Sequence, residues 1–151
     1  MIREAAQTPV VASRVAPALI AAYRATHFCV NSVAPPFILK VDEPNADLAS
    51  CHARHGVNCS AFITAWNPGS QPTAHDDNQV AQQRLEARLH AGHYLLLGGL
   101  GIDPSGQWEG EESLLVLGID RQSACDIGRE CRQHGIVWAG ADAVPRLVML
   151  Q

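Results

Sequence analysis

The chain has 151 residues, of which 47% are hydrophobic and 17% are charged, and its formal net charge at pH 7 is −4. This length and balance are typical of a globular protein and argue against a disordered chain, so we expect residues 1–151 to form a single domain. No run of lysine or arginine is present to follow a phosphate backbone, and nucleic acid is therefore not an expected partner.

The cysteines and the apolar segments indicate the compartment. The chain has five cysteines, an odd and scattered number that does not suggest the paired framework of a small secreted domain. The N-terminal stretch to Tyr23 carries Arg3, Glu4 and Arg14 and lacks the layout of a signal peptide. The longest apolar stretch, Tyr94 to Ile102, has about half of the ~20 residues of a membrane helix and is interrupted by glycines. We expect a cytoplasmic protein with reduced thiols and no membrane partner, and its oligomeric state stays open.

The first half of the chain alternates helical and extended patterns. Leu19, Ile20 and Tyr23 form an apolar helical pattern that Pro17 can begin, and the strand Phe37–Val41 follows a proline pair. A second helix carries apolar and histidine residues at helical spacing up to a glycine cap, with the pattern Leu48, Cys51, His52, His55 and Gly56. The segment Cys59–Trp66 predicts a strand that is covered on both faces.

The clearest helix follows the turn Asn67-Pro68-Gly69-Ser70. Thr73, with Asp76 three residues later, predicts its N-cap, and Gly92 its end. Asn78 continues the apolar stripe, so this asparagine is predicted to point inward. The stripe consists of Ala74, Ala81, Leu85 and Leu89.

The second half predicts four strands and one helix. Strands Tyr94–Leu97 and Ser113–Leu117 are joined by a glycine-rich loop, and a short helix capped by Ser123 and closed by Gly135 follows. The last two strands are Ile136–Trp138 and Arg146–Leu150. This order predicts one α+β or α/β domain with a mixed β-sheet flanked by helices.

Several of these segments together identify a family resemblance. They are AFITAWNPGSQPT (61–73), Asn78 with Leu85, WEGEES (108–113) leading into LLVLGI, and IVWAGADAVPRLVML (136–150). In this order and spacing, from about Phe37 to the C-terminus, the chain resembles the bacterial domain-of-unknown-function family numbered 3293. The resemblance implies a small bacterial cytosolic protein and no established activity. In Cys131–His134 only Gln133 keeps the family's Phe-Gly-Gln-Asn pattern.

The first candidate site lies where the CSAFITAW strand ends and the third helix begins. Trp66, Asn67, Thr73 and Asn78 are expected at this edge, where ligands gather because the unpaired amides of a helix N-terminus attract anions. The alternative assigns them structural roles: Trp66 to the core, Asn67 to the turn, Thr73 to the cap, and Asn78 to a hydrogen bond with a neighbouring loop backbone.

The second candidate is a pair of glutamates, Glu111 and Glu112, beside Trp108 and Ser113. A carboxyl group held against an indole away from water has a raised pKa and is suited to act as a general acid or base. Adjacent residues of a strand face opposite ways, so at most one glutamate faces a given pocket. The alternative is a solvated acidic loop, with one glutamate capping or pairing with an arginine such as Arg84 or Arg146.

The evidence for a metal or cofactor in the sequence is weak. Cys51, His52, His55 and Cys59 are candidate ligands without the paired spacing of a zinc site, and helix-surface histidines and buried thiols explain them better. The glycine-rich segment Leu97–Asp103 lacks the Lys-Ser/Thr ending of a phosphate-binding loop and predicts a bent strand or hairpin. We expect no cofactor and no bound metal.

Two classes of function remain. The first is a binding or accessory module that holds a small polar ligand or a peptide in a pocket formed by Trp66, Asn67, Asn78, Trp108 and Glu112. The second is a hydrolase or transferase with Glu112 or Glu111 as general acid or base and Asn78 orienting the substrate. A metal-binding protein is a third and weaker alternative. The enzyme requires a carboxyl group and Asn78 to converge on one concave site.

Overall fold

The computed structural model describes residues 17–150, which form one seven-stranded sheet with helices packed against it. The N-terminal stretch to residue 16, predicted to be no export signal, lies outside the described residues. The elements in chain order are α1 (Pro17–Ala25), β1 (His27–Val30), β2 (Phe37–Leu39), α2 (Ala46–Arg54), β3 (Ser60–Ile63), a 3-10 turn (Pro68–Ser70), α3 (His75–Ala91), β4 (Leu95–Ile102), β5 (Glu111–Leu117), α4 (Arg121–Glu130), β6 (Gly135–Ala139) and β7 (Arg146–Met149).

The strand order is β2-β1-β4-β5-β3-β6-β7, and each neighbouring pair is antiparallel. The predicted domain of helices packed on a sheet is thus confirmed as an α+β domain, but the sheet is not mixed. Helix α3 connects β3 to β4, and helix α4 connects β5 to β6. A helical connection of this kind is typical of neighbouring parallel strands and led to the prediction of a mixed sheet. In both cases one strand lies between the two connected strands: β5 separates β3 from β4, and β3 separates β5 from β6. Each inserted strand runs antiparallel to both neighbours.

Strand β1 was not predicted from the sequence. It has only four residues, HFCV, but its neighbours are β2 on one side and β4 on the other. Phe28 and Val30 are buried, while His27 and Cys29 are partly exposed. Two apolar residues in alternation are too short a pattern to distinguish a strand from a loop.

The sheet has a hydrophobic core on each face. One contains Ala61 and Ile63 of β3 together with Leu85 and Leu89 of α3. The other contains Phe62 of β3 with residues of β1, β2, α2, β5 and β6. Strand β3 is buried at all four positions, so the prediction of a strand covered on both faces is confirmed.

Two predicted helix caps are wrong. The N-cap of α3 is Ala74, and the Thr73 hydroxyl donates instead to the carbonyl of Gln71, at 2.9 Å. The N-cap of α4 is Asp120, whose carboxylate accepts a hydrogen bond from the Ser123 N–H at 2.8 Å. Both hydroxyl residues had an alternative partner close in the chain, and local side-chain hydrogen bonds of this kind compete with capping. Gly135, predicted to close α4, begins β6 instead.

The glycine-rich segment, predicted to be a bent strand or hairpin, is a strand up to Ile102, so the strand predicted to end at Leu97 is longer than expected. Strand β4 runs through Gly98, Gly99 and Gly101 and pairs with both β1 and β5. All five cysteines are free thiols. Within residues 17–150, none of the helices combines the length and the apolar character needed to cross a bilayer.

Candidate functional site

A cavity of about 570 Å³ lies at one end of the sheet, between α1, the loop after β3 and the beginning of β5. It contains all six residues predicted to bind a ligand, which are Trp66, Asn67, Thr73, Asn78, Trp108 and Ser113. Glu111 also lines it. The two predicted candidate sites are therefore parts of one cavity, because β5 lies directly beside β3 in the sheet.

Asn78 and Asn67 form the polar framework of this cavity. Asn78, only 2% exposed, accepts a hydrogen bond from the Asn67 backbone N–H at 2.7 Å. Its amide nitrogen donates to the Asn67 side-chain oxygen at 2.9 Å and to the Thr73 carbonyl at 3.2 Å. Both donors of Asn78 are thus used within the protein. These contacts agree with the structural alternative for Asn78, a hydrogen bond to a neighbouring loop backbone. Asn78 could orient a substrate through its amide nitrogen only if one of these hydrogen bonds were broken.

Asn67 connects Asn78 to the carboxyl group of Glu111. It has a left-handed backbone conformation, with φ of 47° and ψ of 64°, which asparagine tolerates better than most residues. Its side-chain oxygen accepts hydrogen bonds from Asn78 and from the Thr73 N–H, the latter at 3.1 Å. Its amide nitrogen donates to Oε2 of Glu111 at 3.0 Å. A chain of hydrogen bonds therefore runs from the buried Asn78 to Glu111 and holds this carboxyl group in place.

Glu111 is partly buried, and burial raises its pKa, while the hydrogen bond from Asn67 acts in the opposite direction. Asn67 is the only hydrogen-bond partner of the Glu111 side chain among residues 17–150. Within this part of the chain no group donates to the second carboxyl oxygen, Oε1, which can therefore accept a hydrogen bond from a ligand. A carboxyl group removed from water in this way has a strong tendency to acquire a hydrogen-bond donor.

Glu112 has a different environment from its neighbour. It is exposed and is not among the residues that line the cavity. The alternation of side chains along β5 separates the two glutamates, as predicted. Glu112 was predicted as an acid or base and as part of the ligand pocket. Its position outside the cavity fits neither role. The predicted arginine partners are also not used: Arg146 binds Asp142 at 2.9 Å, and Glu111 is bound by Asn67.

Tyr23 is a site residue that the sequence analysis missed. It lies in α1, lines the cavity and is partly buried. Burial raises the pKa of Tyr23 to about 12; hydrogen bonds with the backbone of Gly135 and His134 oppose this change, and the nearby charge of Glu111 adds to it. The hydroxyl therefore remains protonated at neutral pH. The sequence placed Tyr23 only in the apolar pattern of a helix. Because this pattern does not reveal where α1 packs on the sheet, Tyr23 was not predicted as a site residue.

Aromatic rings form much of the wall. Phe28, Phe62, Trp66, Trp108 and Tyr23 all line the cavity. Phe28 and Phe62 make an edge contact with ring centroids 5.2 Å apart, and Trp66 makes a similar contact with His75 at 5.5 Å. These contacts fix the orientation of both walls.

Gln133 also lines the cavity and was not predicted as a site residue. Its amide donates to the Trp66 carbonyl at 3.2 Å and to the Cys131 carbonyl at 3.3 Å. These bonds tie the loop after α4 to the loop after β3. The signal was available, because Gln133 is the one residue in this segment that keeps the family pattern.

Two hydroxyl groups of the cavity, those of Ser113 and Thr26, are engaged in local hydrogen bonds. The Ser113 hydroxyl donates to the Glu111 carbonyl at 2.9 Å, and the Thr26 hydroxyl donates to the Ala22 carbonyl at 2.6 Å. No histidine contacts either hydroxyl in the described chain. These contacts are those of structural residues and not of an activated nucleophile.

The four residues considered as metal ligands do not converge. His52 Nε2 lies 2.8 Å from the Ser60 hydroxyl in the core, and the Cys59 thiol donates to the Ile119 carbonyl at 3.2 Å. Cys51 and His55 contact each other at 3.8 Å on α2. Within the described range, no group of three or more histidine, cysteine, aspartate or glutamate residues is placed to hold a metal ion.

Fold and site together define an α+β domain with a cavity in which the carboxyl group of Glu111 accepts a hydrogen bond from Asn67, which is itself held by Asn78. Residues 63–136 match the model of a family described as a protein of unknown function, DUF3293, and this match supports the assignment of the segment to that family. The matched segment contains Trp66, Asn67, Asn78, Trp108, Glu111 and Gln133. No curated protein and no solved structure matches the chain.

The variant Glu111→Gln is expected to be more stable than the wild type at neutral pH. Glutamine keeps an oxygen that accepts the Asn67 hydrogen bond, and it removes a charge that burial disfavours. In the folded protein the pKa of Glu111 is raised above its ordinary value of 4.5. As pH rises through 4.5 the unfolded chain ionises first, so the wild type loses stability relative to the variant until pH exceeds the folded-state pKa.

Thermal unfolding of both proteins between about pH 4 and pH 8 measures this difference. The advantage of the variant should grow with pH and then level off. Glu112→Gln is the matched control, because this carboxylate is exposed and its replacement should change stability little at any pH. An advantage of Glu111→Gln that is equally large at about pH 4 would contradict the assignment.

Proposed function

We propose that this protein is a binding module whose cavity holds a small polar ligand through the carboxyl group of Glu111. The observation that carries the proposal is Oε1 of Glu111, which has no hydrogen-bond partner among residues 17–150 and belongs to a cavity with aromatic walls. Its volume of about 570 Å³ falls within the range of roughly 300–1,000 Å³ that is usual for small-molecule sites. The resemblance to the family supports a bacterial and cytoplasmic protein.

The hydrogen bonds of Asn67 and Asn78 support a preorganised site. They fix the loop after β3 and the Glu111 carboxyl group before any ligand arrives. A site that is ordered in advance loses less conformational entropy on binding, and its affinity is correspondingly higher. The position of the carboxyl group is then set by the buried end of α3 and not by the ligand.

A thermal-shift screen against amino acids, nucleotides, sugars and amines tests the proposal. A ligand that binds only the folded state raises the midpoint, by an amount that corresponds to about 2.7 kcal/mol at a concentration of 100 times its Kd. We expect one ligand class to raise the midpoint of the wild type and of Glu112→Gln, and to have a much smaller effect on Glu111→Gln. A flat screen, or equal shifts for the two variants, would overturn the proposal.

The raised pKa of Glu111 beside the protonated Tyr23 favours a second candidate, a hydrolase or transferase in which Glu111 is the general acid or base. Incubation of the identified ligand with wild type and with Tyr23→Phe, followed by mass spectrometry, distinguishes the two. A product formed by the wild type and strongly reduced in the variant supports the enzyme. Recovery of unchanged ligand supports the binding module.

A further inference from the structure

We infer that the ligand is an organic cation, a primary ammonium or guanidinium group carried on an apolar or planar body. This inference rests on the proposed function and specifies the ligand that the same cavity selects. Four features of the described residues support it: the sign of the lining charges, the location of the arginines, the aromatic walls and the free carboxyl oxygen.

The charged side chains of the cavity are acidic. Glu109 and Glu111 line it, and among the lining residues of the described range there is no lysine or arginine. His75 is the one lining side chain that can become positive, and it is largely exposed. An anionic ligand would therefore meet two carboxyl groups and no lysine or arginine in this lining, whereas a cation would meet two favourable groups.

The arginines of the described structure have other positions. Arg24 binds Asp42 at 2.7 Å on the outside of α1. Arg84, Arg88 and Arg132 line a second cavity of about 430 Å³ next to α3 and α4, where Arg88 also pairs with Glu130. The second cavity thus carries three arginines and one glutamate, whereas the first carries two glutamates and no arginine, so the first is the one suited to a cation.

The aromatic lining fits the same ligand class. The face of an indole or phenol ring attracts a cation within about 6 Å, and tryptophan does so most strongly. Trp66 and Trp108 both line the cavity with Glu111. An ammonium group that donates to Oε1 of Glu111 therefore has an apolar wall suited to its organic body and ring faces suited to its charge.

Three probes of the same size and shape but different charge test the inference: phenethylamine as the cation, 2-phenylethanol as the neutral molecule and 3-phenylpropionate as the anion. Binding is measured by isothermal titration calorimetry at neutral pH. We expect phenethylamine to bind at least about tenfold more tightly than either other probe, since hydrogen bonds to charged groups are the stronger ones. Glu111→Gln should remove this preference, and Glu112→Gln should retain it.

A second variant keeps the test independent of Glu111. Trp108 is a partly exposed loop residue, so Trp108→Leu is expected to leave the fold intact. It should weaken phenethylamine binding about three- to tenfold and the neutral alcohol less, because only the cation interacts with the ring face.

The outcomes separate this inference from the proposed function. Preferential binding of the alcohol or the carboxylate, or a neutral or anionic ligand emerging from the broader screen, overturns the cation inference and leaves the binding function standing. Equal binding of all three probes also overturns the cation inference and leaves the binding function standing. Failure of every compound in both experiments overturns both.

Discussion

Replacing Asn78 with alanine is expected to lower the free energy of unfolding by about 2–3 kcal/mol, because it removes three hydrogen bonds of a buried side chain. The Asn67 N–H and the Thr73 carbonyl lose their partner, and the alanine leaves a small void in addition. For a chain of this size the midpoint should fall by roughly 5–10 °C. Urea or thermal unfolding measures the loss.

The matched control is Gln79→Ala, one position further along α3 and exposed. It changes the same helix without touching the loop, so its effect should stay within about 0.5 kcal/mol. The Asn78→Ala protein should also bind ligand more weakly than its folded fraction explains, because Asn67 no longer holds Glu111. A loss in Asn78→Ala as small as in the control would show that the asparagine is not the structural centre of the site.

Replacing Gly99 with alanine is the second large effect we expect, a loss of about 2–3 kcal/mol from overpacking. A Cβ atom at this position would lie 2.6 Å from the Cys29 carbonyl oxygen and 2.8 Å from a ring carbon of Phe62. The carbonyl belongs to β1, which is hydrogen-bonded to β4, so it cannot move without disturbing the pairing. The Phe62 ring lines the cavity, and its displacement should also reduce ligand affinity.

Gly98→Ala is the control within the same strand. Its Cβ atom would approach Ser32 Cβ at 3.5 Å, which is an ordinary contact. This substitution should be tolerated to within about 0.5 kcal/mol, because alanine also reduces the entropy of the unfolded chain. Equal destabilisation by both substitutions would mean that the close approach of β1 and β4 at Gly99 is not what requires glycine.

The residues of the candidate site illustrate how far sequence reasoning reached. The polar residues after β3 and on α3 were recognised because they interrupt apolar patterns, and the inward direction of Asn78 followed from helical periodicity. That only one of Glu111 and Glu112 can face a cavity followed from strand geometry. Which one does so depends on the register between β4 and β5, where Glu111 pairs with Gly101 and Glu112 with Leu100. The local sequence does not contain that register.

Local chemistry thus determined the elements of this protein: the helical stripe of α3, the doubly buried β3 and the turn at Asn67. The tertiary structure alone decided how they combine. It inserted β5 between β3 and β4, assembled the four-residue β1 into the sheet, and brought Tyr23, Glu111 and Gln133 to one cavity. The physical reason is that periodicity reports which face of an element is buried, whereas the partner on that face is selected by packing between residues far apart in the chain.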